Sequence, residues 1–248
     1  MKRLLLFTSV CLAITAGAAD GTIKTDWGSI NTPAEKKLSY RRVLEVKKWP
    51  ANRLLKIPTP FPNIVSGWVG SETNSQPLFW MYNEDASDMR LGLPAGKTGK
   101  NPPIHVLTTE KSTEHADGTI VLSALDAKVF GQRAKLETHP GNHRIGFWVD
   151  SNDYVHWDFK PKKTGRYLVE IAYSQAGPPG NEVQITFNGN PITIRVNSTG
   201  SWYAYTGMRT GQVQLDAGVR YSVDVKCTRQ VSGAVMNLKA IVLHSVVK

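Results

Sequence analysis

Residues 144–159 read Arg-Ile-Gly-Phe-Trp-Val-Asp-Ser-Asn-Asp-Tyr-Val-His-Trp-Asp-Phe, and their periodicity predicts two β-strands. A two-residue period is typical of a pleated strand with one buried face. The polar run Asp150–Asp153 favours a turn, because its side chains bond the local backbone. We therefore predict a hairpin that leaves Trp148 and other aromatic residues near its rim. The residues expected on its buried face are Ile145, Phe147, Val149, Val155, Trp157 and Phe159.

Similar short alternating runs, separated by turn residues, recur along the 248-residue chain, which has 21 Gly and 14 Pro. This pattern predicts an all-β protein with two antiparallel β-sandwich domains. The first, residues 38–109, has six predicted strands. The second, residues 119–248, has about ten and is expected to be a jelly roll. A flexible lead-in at 20–37 and a polar linker at 110–118 complete the division.

The N-terminus has the features of a secretory signal peptide. Two basic residues precede the apolar run Leu4–Ala13, and the small residues Ala16–Ala19 suit a signal peptidase. We expect residues 1–19 to be removed and the protein to be secreted or periplasmic, with no membrane span. Cys11 would allow a lipid anchor, but the residues before it fit a lipoprotein cleavage box poorly.

Removal of the signal would leave one cysteine, Cys227, which alternates with apolar residues and is expected to point inward. The formal net charge of the whole chain is +10 at pH 7. Three basic pairs, Lys36-Lys37, Arg41-Arg42 and Lys47-Lys48, have two interpretations. They either protect a solvated strand edge or attract an anionic polysaccharide or cell surface, rather than nucleic acid.

The first predicted domain resembles the C-terminal β-sandwich of α-L-fucosidases of glycoside hydrolase family 29. In that family the catalytic carboxylates lie on a preceding barrel, which needs about 200 residues or more. Only a short lead-in precedes residues 38–109, so the resemblance implies no catalytic residue and we expect no enzyme. The matching segments are Val43-Leu-Glu-Val-Lys-Lys-Trp-Pro, Leu55-Lys-Ile-Pro, Leu91-Gly-Leu-Pro and Asn101-Pro-Pro-Ile-His-Val.

The second predicted domain resembles the galactose-binding-like carbohydrate-binding modules of families 6 and 35. It also resembles a related module that is appended to secreted sulfatases and glycosidases. The resemblance implies a jelly-roll fold and a glycan or polysaccharide partner. The landmarks, in order, are Leu122-Ser-Ala-Leu-Asp-Ala, Ile145-Gly-Phe-Trp, Asp153-Tyr-Val-His-Trp, Thr164-Gly-Arg-Tyr, Thr199-Gly-Ser-Trp, Leu215-Asp-Ala-Gly and Gly233-Ala-Val-Met-Asn-Leu.

In those modules an aromatic ring stacks on the sugar, and an Asn near the last strand bonds its hydroxyls. The resemblance implies that Trp148, either Trp202 or Tyr205, and Asn237 bind the ligand. Sugars suit this combination, since their C–H faces stack on rings and their hydroxyls need directional partners. In the alternative interpretation, Trp202 fills the core and Asn237 satisfies a buried backbone group.

Metal and cofactor sites are not predicted. The resembled modules use a Glu for structural calcium, whereas this chain offers only Asp126 nearby, so structural calcium stays open and no cofactor is expected. His139 and His143 would share a helix face, but Pro140 and Gly141 between them disfavour a helix. The acidic residues Glu84, Asp85 and Asp88 are expected to be solvated.

We therefore expect an exported, non-catalytic carbohydrate-binding accessory protein, for acidic or fucose-containing glycans. The alternative is a structural or protein-interaction remnant of a glycosidase, with a large apolar patch in place of a sugar cleft. An active glycosidase would need two carboxylates flanking a cleft at ~5–10 Å, and no such pair stands out in the sequence.

Overall fold

The computed structural model describes residues 21–32, 39–47, 50–58, 63–70, 75–83, 88–94, 103–231 and 233–246. The predicted signal peptide, residues 1–19, lies outside these ranges, and so do Lys36, Lys37, Lys48, Glu84 and Asp85. β-strands are the main regular secondary structure of the described residues, and every strand pairing among them is antiparallel, as the sequence predicts. None of the described helical segments is long and apolar enough to span a membrane.

Three sheets make up the fold, and the first contains strands from the N-terminal half only. Sheet A has the order β1-β2-β3-β9-β5-β6. Its strands are β1 (Gly21–Lys24), β2 (Gly28–Thr32), β3 (Ser39–Val46), β5 (Ile64–Gly70), β6 (Ser75–Pro77) and β9 (Ile104–Thr109). Strand β4 (Leu54–Ile57) lies between β3 and β5 in the chain but belongs to sheet B.

Sheet B combines strands from both halves of the chain. Its order is β10-β11-β21-β16-β19-β7-β8-β4, and a short pair, β13-β14, joins it through β21. Its further strands are β7 (Phe79–Tyr82), β8 (Met89–Gly92), β10 (Thr113–Glu114), β11 (Ile120–Ser123), β13 (Lys135–Glu137), β14 (Arg144–Gly146), β16 (Gly165–Ser174), β19 (Ala204–Leu215) and β21 (Asn237–Ser245).

Sheet C contains strands from the C-terminal half only, in the order β12-β15-β20-β17-β18. One turn of 3₁₀-helix, Ala124–Asp126, precedes its first strand. The strands β17 and β18 are joined by Asn188-Gly189, both with positive φ, which is the hairpin turn predicted from this dipeptide. The strands are β12 (Lys128–Phe130), β15 (Tyr154–Phe159), β17 (Glu182–Phe187), β18 (Asn190–Arg195) and β20 (Tyr221–Arg229).

Sheet B is buried on both faces, and this places it between two hydrophobic cores. One face contributes Ile171, Leu238 and Ile241 to a core shared with sheet C. The other face contributes Ala172 and Val242 to a core shared with sheet A. Strand β21 is consequently buried at seven consecutive positions rather than at alternate ones. The two predicted domains thus meet through a common sheet.

The predicted hairpin at residues 144–159 is wrong, although its two strands exist. Strand β14 pairs with β13 and β21 in sheet B, whereas β15 pairs with β12 and β20 in sheet C. The turn at Asp150–Asp153 therefore connects the two sheets of a sandwich. Val155 and Trp157 are buried, as the alternation predicts, but the first strand ends at Gly146 and is buried at all three of its positions.

The predicted lead-in and linker are also more ordered than expected. The described part of the lead-in, residues 21–32, forms the hairpin β1–β2, and Trp27 is buried with its indole N–H donating to the carbonyl of Lys56. In the linker, Thr113 and Glu114 pair with β11. Both segments form strands that pair with a neighbouring strand of a sheet. The periodicity of the sequence alone does not predict this pairing.

A buried lysine, Lys239, lies where the two halves meet. Its Nζ donates to Oδ1 of Asn63, 2.6 Å away, and to Oδ1 of Asn142, 2.9 Å away. The same Nζ lies 5.0 Å from the ring centroid of Tyr82 and 4.7 Å from that of Tyr205. Burial lowers the pKa of the Lys239 amine well below its usual range. This side chain connects both halves through hydrogen bonds and ring contacts.

We expect the protein to unfold in one cooperative transition. Loss of sheet A alone would expose the apolar face of sheet B that packs against it, so the two halves stabilise each other. The measurement is equilibrium urea unfolding followed by tryptophan fluorescence and by far-ultraviolet circular dichroism. The two curves should coincide. Two separated transitions would show that the halves fold independently and would contradict this prediction.

Replacement of the buried lysine, Lys239→Ala, should lower the free energy of unfolding by about 2–5 kcal/mol, as for other long buried side chains. The loss arises from the cavity and from the two asparagine carbonyls left without their donor. Lys162→Ala, at an exposed position, is the matched control and should change stability by less than about 0.5 kcal/mol. Equal effects in urea unfolding would argue against the proposed role of Lys239.

Candidate functional site

The predicted ligand-binding residue Trp148 is completely buried, so this prediction is corrected. Its side chain packs in the core between sheets B and C, and its carbonyl accepts a hydrogen bond of 2.7 Å from the Val235 N–H. The neighbouring Phe147 is the exposed aromatic residue instead, with 56% of its surface accessible. The cause is a φ of 53° at Phe147, directly after β14 ends, which reverses the expected alternation.

Tyr205 is also buried, in the core between sheets A and B, and cannot stack on a ligand. Its ring stacks on Trp80 at 6.2 Å and meets Tyr82 edge-on at 6.0 Å. Burial raises the pKa of the Tyr205 hydroxyl to about 12. Tyr205 therefore belongs to the contact between the two halves.

The remaining predicted residues, Trp202 and Asn237, lie together at one end of sheet B. Trp202 is half-buried, and its carbonyl accepts hydrogen bonds from Ser174 Oγ at 2.8 Å and from Asn237 Nδ2 at 3.0 Å. The amide of Asn237 thus satisfies a backbone group, which was the alternative interpretation of this residue. Its Oδ1 remains to accept a further hydrogen bond.

An ion pair that the sequence analysis did not identify lies beside Asn237. Arg144 Nε donates to Glu137 Oε2 at 2.9 Å, and both side chains are largely buried. The guanidinium carbon of Arg144 lies 5.6 Å from the ring centroid of Tyr203, in the range of a cation–π contact. Arg144 Nη1 is buried and has no hydrogen-bond partner among the described residues.

The backbone at Gly146 allows these groups to approach one another. A Cβ atom on Gly146 would lie 2.1 Å from Glu137 Oε2 and 3.2 Å from Asn237 Oδ1. A larger residue here would force the Glu137 carboxylate to move away. The absence of this side chain brings a carboxylate, a carboxamide and the chain leading to Phe147 into one place.

Phe147 carries a cation above its ring, because Lys135 Nζ lies 4.1 Å from the ring centroid. The site therefore combines one exposed ring, one half-buried ring and an amide with two cations and one carboxylate. Such a set can stack against a flat apolar surface while hydrogen-bonding to polar groups at its edge. We call these residues the rim cluster: Lys135, Glu137, Arg144, Phe147, Tyr203 and Asn237.

The ion pair could have been predicted from the sequence only if the pairing of β13 with β14 had been known. Glu137 and Arg144 are directly opposite in the register of β13 and β14. Opposite charges at facing positions are a common stabilising pair in antiparallel strands. The register was not evident from the sequence, because β13 has only three residues and no clear alternation.

Other predicted positions have structural partners. The backbone N–H of Ser112 donates to the Asp126 carboxylate. His143 Nε2 lies 2.6 Å from Glu110 Oε2. No group of three or more His, Cys, Asp or Glu residues that suits a metal occurs in the described parts of the chain.

The predicted basic strip is only partly present as an exposed surface. Arg41 pairs with Asp117 at 2.8 Å, and Arg42 is buried. Lys47 is exposed, and the other three residues of the strip are outside the described ranges. Attraction to an anionic surface stays a prediction.

Comparison with known proteins gave matches only among solved structures. No protein-family model matches this chain, and no curated protein does. A family 35 carbohydrate-binding module from Clostridium thermocellum is 20% identical, covers 52% of this chain and 98% of its own, and has a TM-score of 0.44. The module CBM6cm-2 of Cellvibrio mixtus lichenase 5A, in complex with cellotriose, is 21% identical over 51% and 97%, with a TM-score of 0.41.

A third match extends over more of this chain. An uncharacterized protein from Listeria monocytogenes is 13% identical, covers 83% of this chain and 20% of its own, and has a TM-score of 0.43. Carbohydrate-binding modules of families 6 and 35 are therefore among the structures that this chain is similar to. The predicted resemblance of residues 38–109 to α-L-fucosidases has no support in these matches and stays a prediction.

We expect Glu137→Ala to lower the free energy of unfolding by about 3–5 kcal/mol, because it leaves the Arg144 guanidinium buried without its counter-charge. The double variant Glu137→Ala, Arg144→Met removes both charges and should lose less than the sum of the single variants. Denaturant unfolding of the wild type, Glu137→Ala, Arg144→Met and the double variant gives the coupling energy between the two side chains, which we expect to be about 0.5–3 kcal/mol. Strictly additive losses would show that the two side chains do not stabilise each other.

Proposed function

We propose that this chain is an exported, non-catalytic accessory protein that binds carbohydrate at the rim cluster. The observation that carries the proposal is the presentation of Phe147, a large apolar side chain that is exposed and held at positive φ. Bulky residues rarely adopt this conformation, which costs about 1–3 kcal/mol and is concentrated at functional sites. A ring displayed at this cost suits the stacking of a pyranose.

Polar groups beside the ring match the second requirement of a sugar. Glu137 and Asn237 offer acceptor oxygens, and the exposed ammonium of Lys135 offers a donor above the ring. Acceptors and donors around one aromatic platform can bond vicinal hydroxyls while the ring stacks on the C–H face. Because Arg144 and Glu137 are held by each other, the site is preorganised.

The charge of the rim cluster favours acidic glycans over neutral ones. Lys135 and Arg144 supply two positive charges, and Glu137 supplies one negative charge. The ammonium of Lys135 lies at the face of the proposed platform, where a sugar carboxylate or sulfate would meet it. Fucose-containing glycans remain a second class, proposed only from the resemblance of residues 38–109.

A protein partner is the alternative occupant of the same surface. Val149 is 41% exposed two residues from Phe147, so the apolar area extends beyond one ring. A protein-binding patch would use both residues together, whereas a sugar would need the ring and the polar groups. The two candidates therefore differ in their response to loss of Val149.

The test is titration of the purified protein with three kinds of oligosaccharide by isothermal calorimetry: neutral β-1,4-linked trisaccharides, uronic-acid-containing oligosaccharides and fucosylated oligosaccharides. Phe147→Ala should weaken binding at least about tenfold, the equivalent of about 1.4 kcal/mol. Phe130→Ala is the matched control, because Phe130 is 41% exposed but lies in sheet C and is not part of the rim cluster. It should leave the dissociation constant unchanged.

Val149→Ala should likewise have little effect on sugar binding. Sugar binding that is weakened equally by Phe147→Ala and by Phe130→Ala would show that the site lies outside the rim cluster. Absence of binding heat with all three kinds of oligosaccharide would overturn the proposal. Binding to uronic-acid-containing chains that weakens as salt is raised would support the acidic class.

A further inference from the structure

A cleft of about 450 Å³ lies where the two halves of the chain meet, and none of its lining residues belongs to the rim cluster. The N-terminal half contributes β5, β6 and β7 to its walls, and the C-terminal half contributes β16, β19 and the loop after β18. Its volume is in the range of small-molecule sites. The apolar residues of the walls are Trp68, Pro77, Phe79, Tyr173 and Met208.

Two buried polar atoms of the cleft residues have no partner among the described residues. They are Oε1 of Glu170 and Nε1 of Trp68. The other carboxylate oxygen of Glu170 is held by His244 Nε2 at 2.9 Å and by Arg209 Nε at 3.4 Å. The buried Ser66 hydroxyl also hydrogen-bonds to the Glu170 carboxylate. Native proteins leave few buried polar groups without a partner, so the unpaired donor Trp68 Nε1 is the group that a ligand would satisfy first.

Charge in the cleft is already balanced, which limits the ligand chemistry. Arg209 pairs with Glu170 and donates to Ser75 Oγ. Burial alone would raise the pKa of Glu170, but His244, the Ser66 hydroxyl and Arg209 together outweigh it and bring the pKa below its usual value, so the carboxylate is ionised at neutral pH. A charged ligand would disturb this balance, whereas a neutral hydroxyl-rich ligand would not.

The mouth of the cleft adds an aromatic platform and further hydrogen-bonding groups. Phe79 is 42% exposed on one side. Among the other lining residues, Asn197 and Ser198 are exposed, and Thr199 is half-buried. A second cavity of about 350 Å³ adjoins the first, because Trp68 and Arg209 line both. The combined groove has room for more than one ring.

We infer that this cleft is a second binding site, for a neutral saccharide ring, formed jointly by the two halves of the chain. The ring lies against Phe79, and its hydroxyls bond to Glu170 Oε1, Trp68 Nε1 and Asn197. The site is independent of the rim cluster in residues and in charge preference. Because both halves supply its walls, ligand bound there also joins them.

The experiment records indole N–H resonances in ¹H–¹⁵N spectra of the whole chain, during titration with methyl glycosides of glucose, galactose, mannose and xylose. Trp68 reports on the cleft, and Trp68→Phe assigns its resonance. Calorimetric titration with oligosaccharide, of the wild-type protein and of Phe147→Ala, reports on the rim. We expect the Trp68 resonance to shift with at least one glycoside. Phe79→Ala and Asn197→Ala should each weaken that response about tenfold.

Matched controls are Phe130→Ala and Asn190→Ala, both exposed on sheet C. They should leave the Trp68 titration unchanged. Phe147→Ala should also leave it unchanged, while it weakens sugar binding at the rim.

A Trp68 resonance that does not move at saturating glycoside, while calorimetry shows oligosaccharide binding that Phe147→Ala weakens, would overturn the second site and leave the proposed function standing. A Trp68 response without any oligosaccharide binding that depends on Phe147 would do the reverse. A Trp68 response that Phe79→Ala and Asn197→Ala leave intact would also overturn the inference, because the sugar would then lie elsewhere.

Discussion

The burial of sheet B on both faces is the constraint from which the architecture follows. An antiparallel sheet usually keeps one face in water and alternates polar with apolar residues. Here the facing pair Ala172 and Ala240 lies on the side toward sheet A, together with the larger Tyr205. Tyr173 and Leu238 lie on the side toward sheet C. Both faces therefore carry apolar side chains that pack against a neighbouring sheet.

Two ionisable side chains inside this arrangement occur at irregularities of the ladder. Lys239 lies at the register shift between β16 and β21, and Glu170 lies at the shift between β16 and β19. A bulge redirects a side chain that regular pairing would place differently. Each group then meets partners, two asparagines for Lys239 and a histidine with an arginine for Glu170. A buried charge without such partners would cost several kcal/mol.

The sequence predicted those strands that have one buried face. Val155 with Trp157 and the Asn188-Gly189 turn follow from periodicity and turn chemistry, and the structure confirms them. Periodicity fails where both faces are buried, as in β21, and where a strand ends early, as after Gly146. Because of this second failure, the sequence analysis placed Trp148 at the exposed site and Phe147 in the core, which is the reverse of the structure. One positive φ, set by tertiary packing, is not visible in the alternation of residue types.

Long-range pairing was the other feature that the sequence could not supply. Strand β7 pairs with β19 through Phe79 and Thr206, so the N-terminal half completes its sheet with residues from the far end of the chain. During synthesis, β4, β7 and β8 emerge well before this partner. Until then the nascent chain carries an unpaired strand edge, of the kind that binds chaperones or other chains. Closing so long a loop is slow, so this protein should reach its native state only after translation ends.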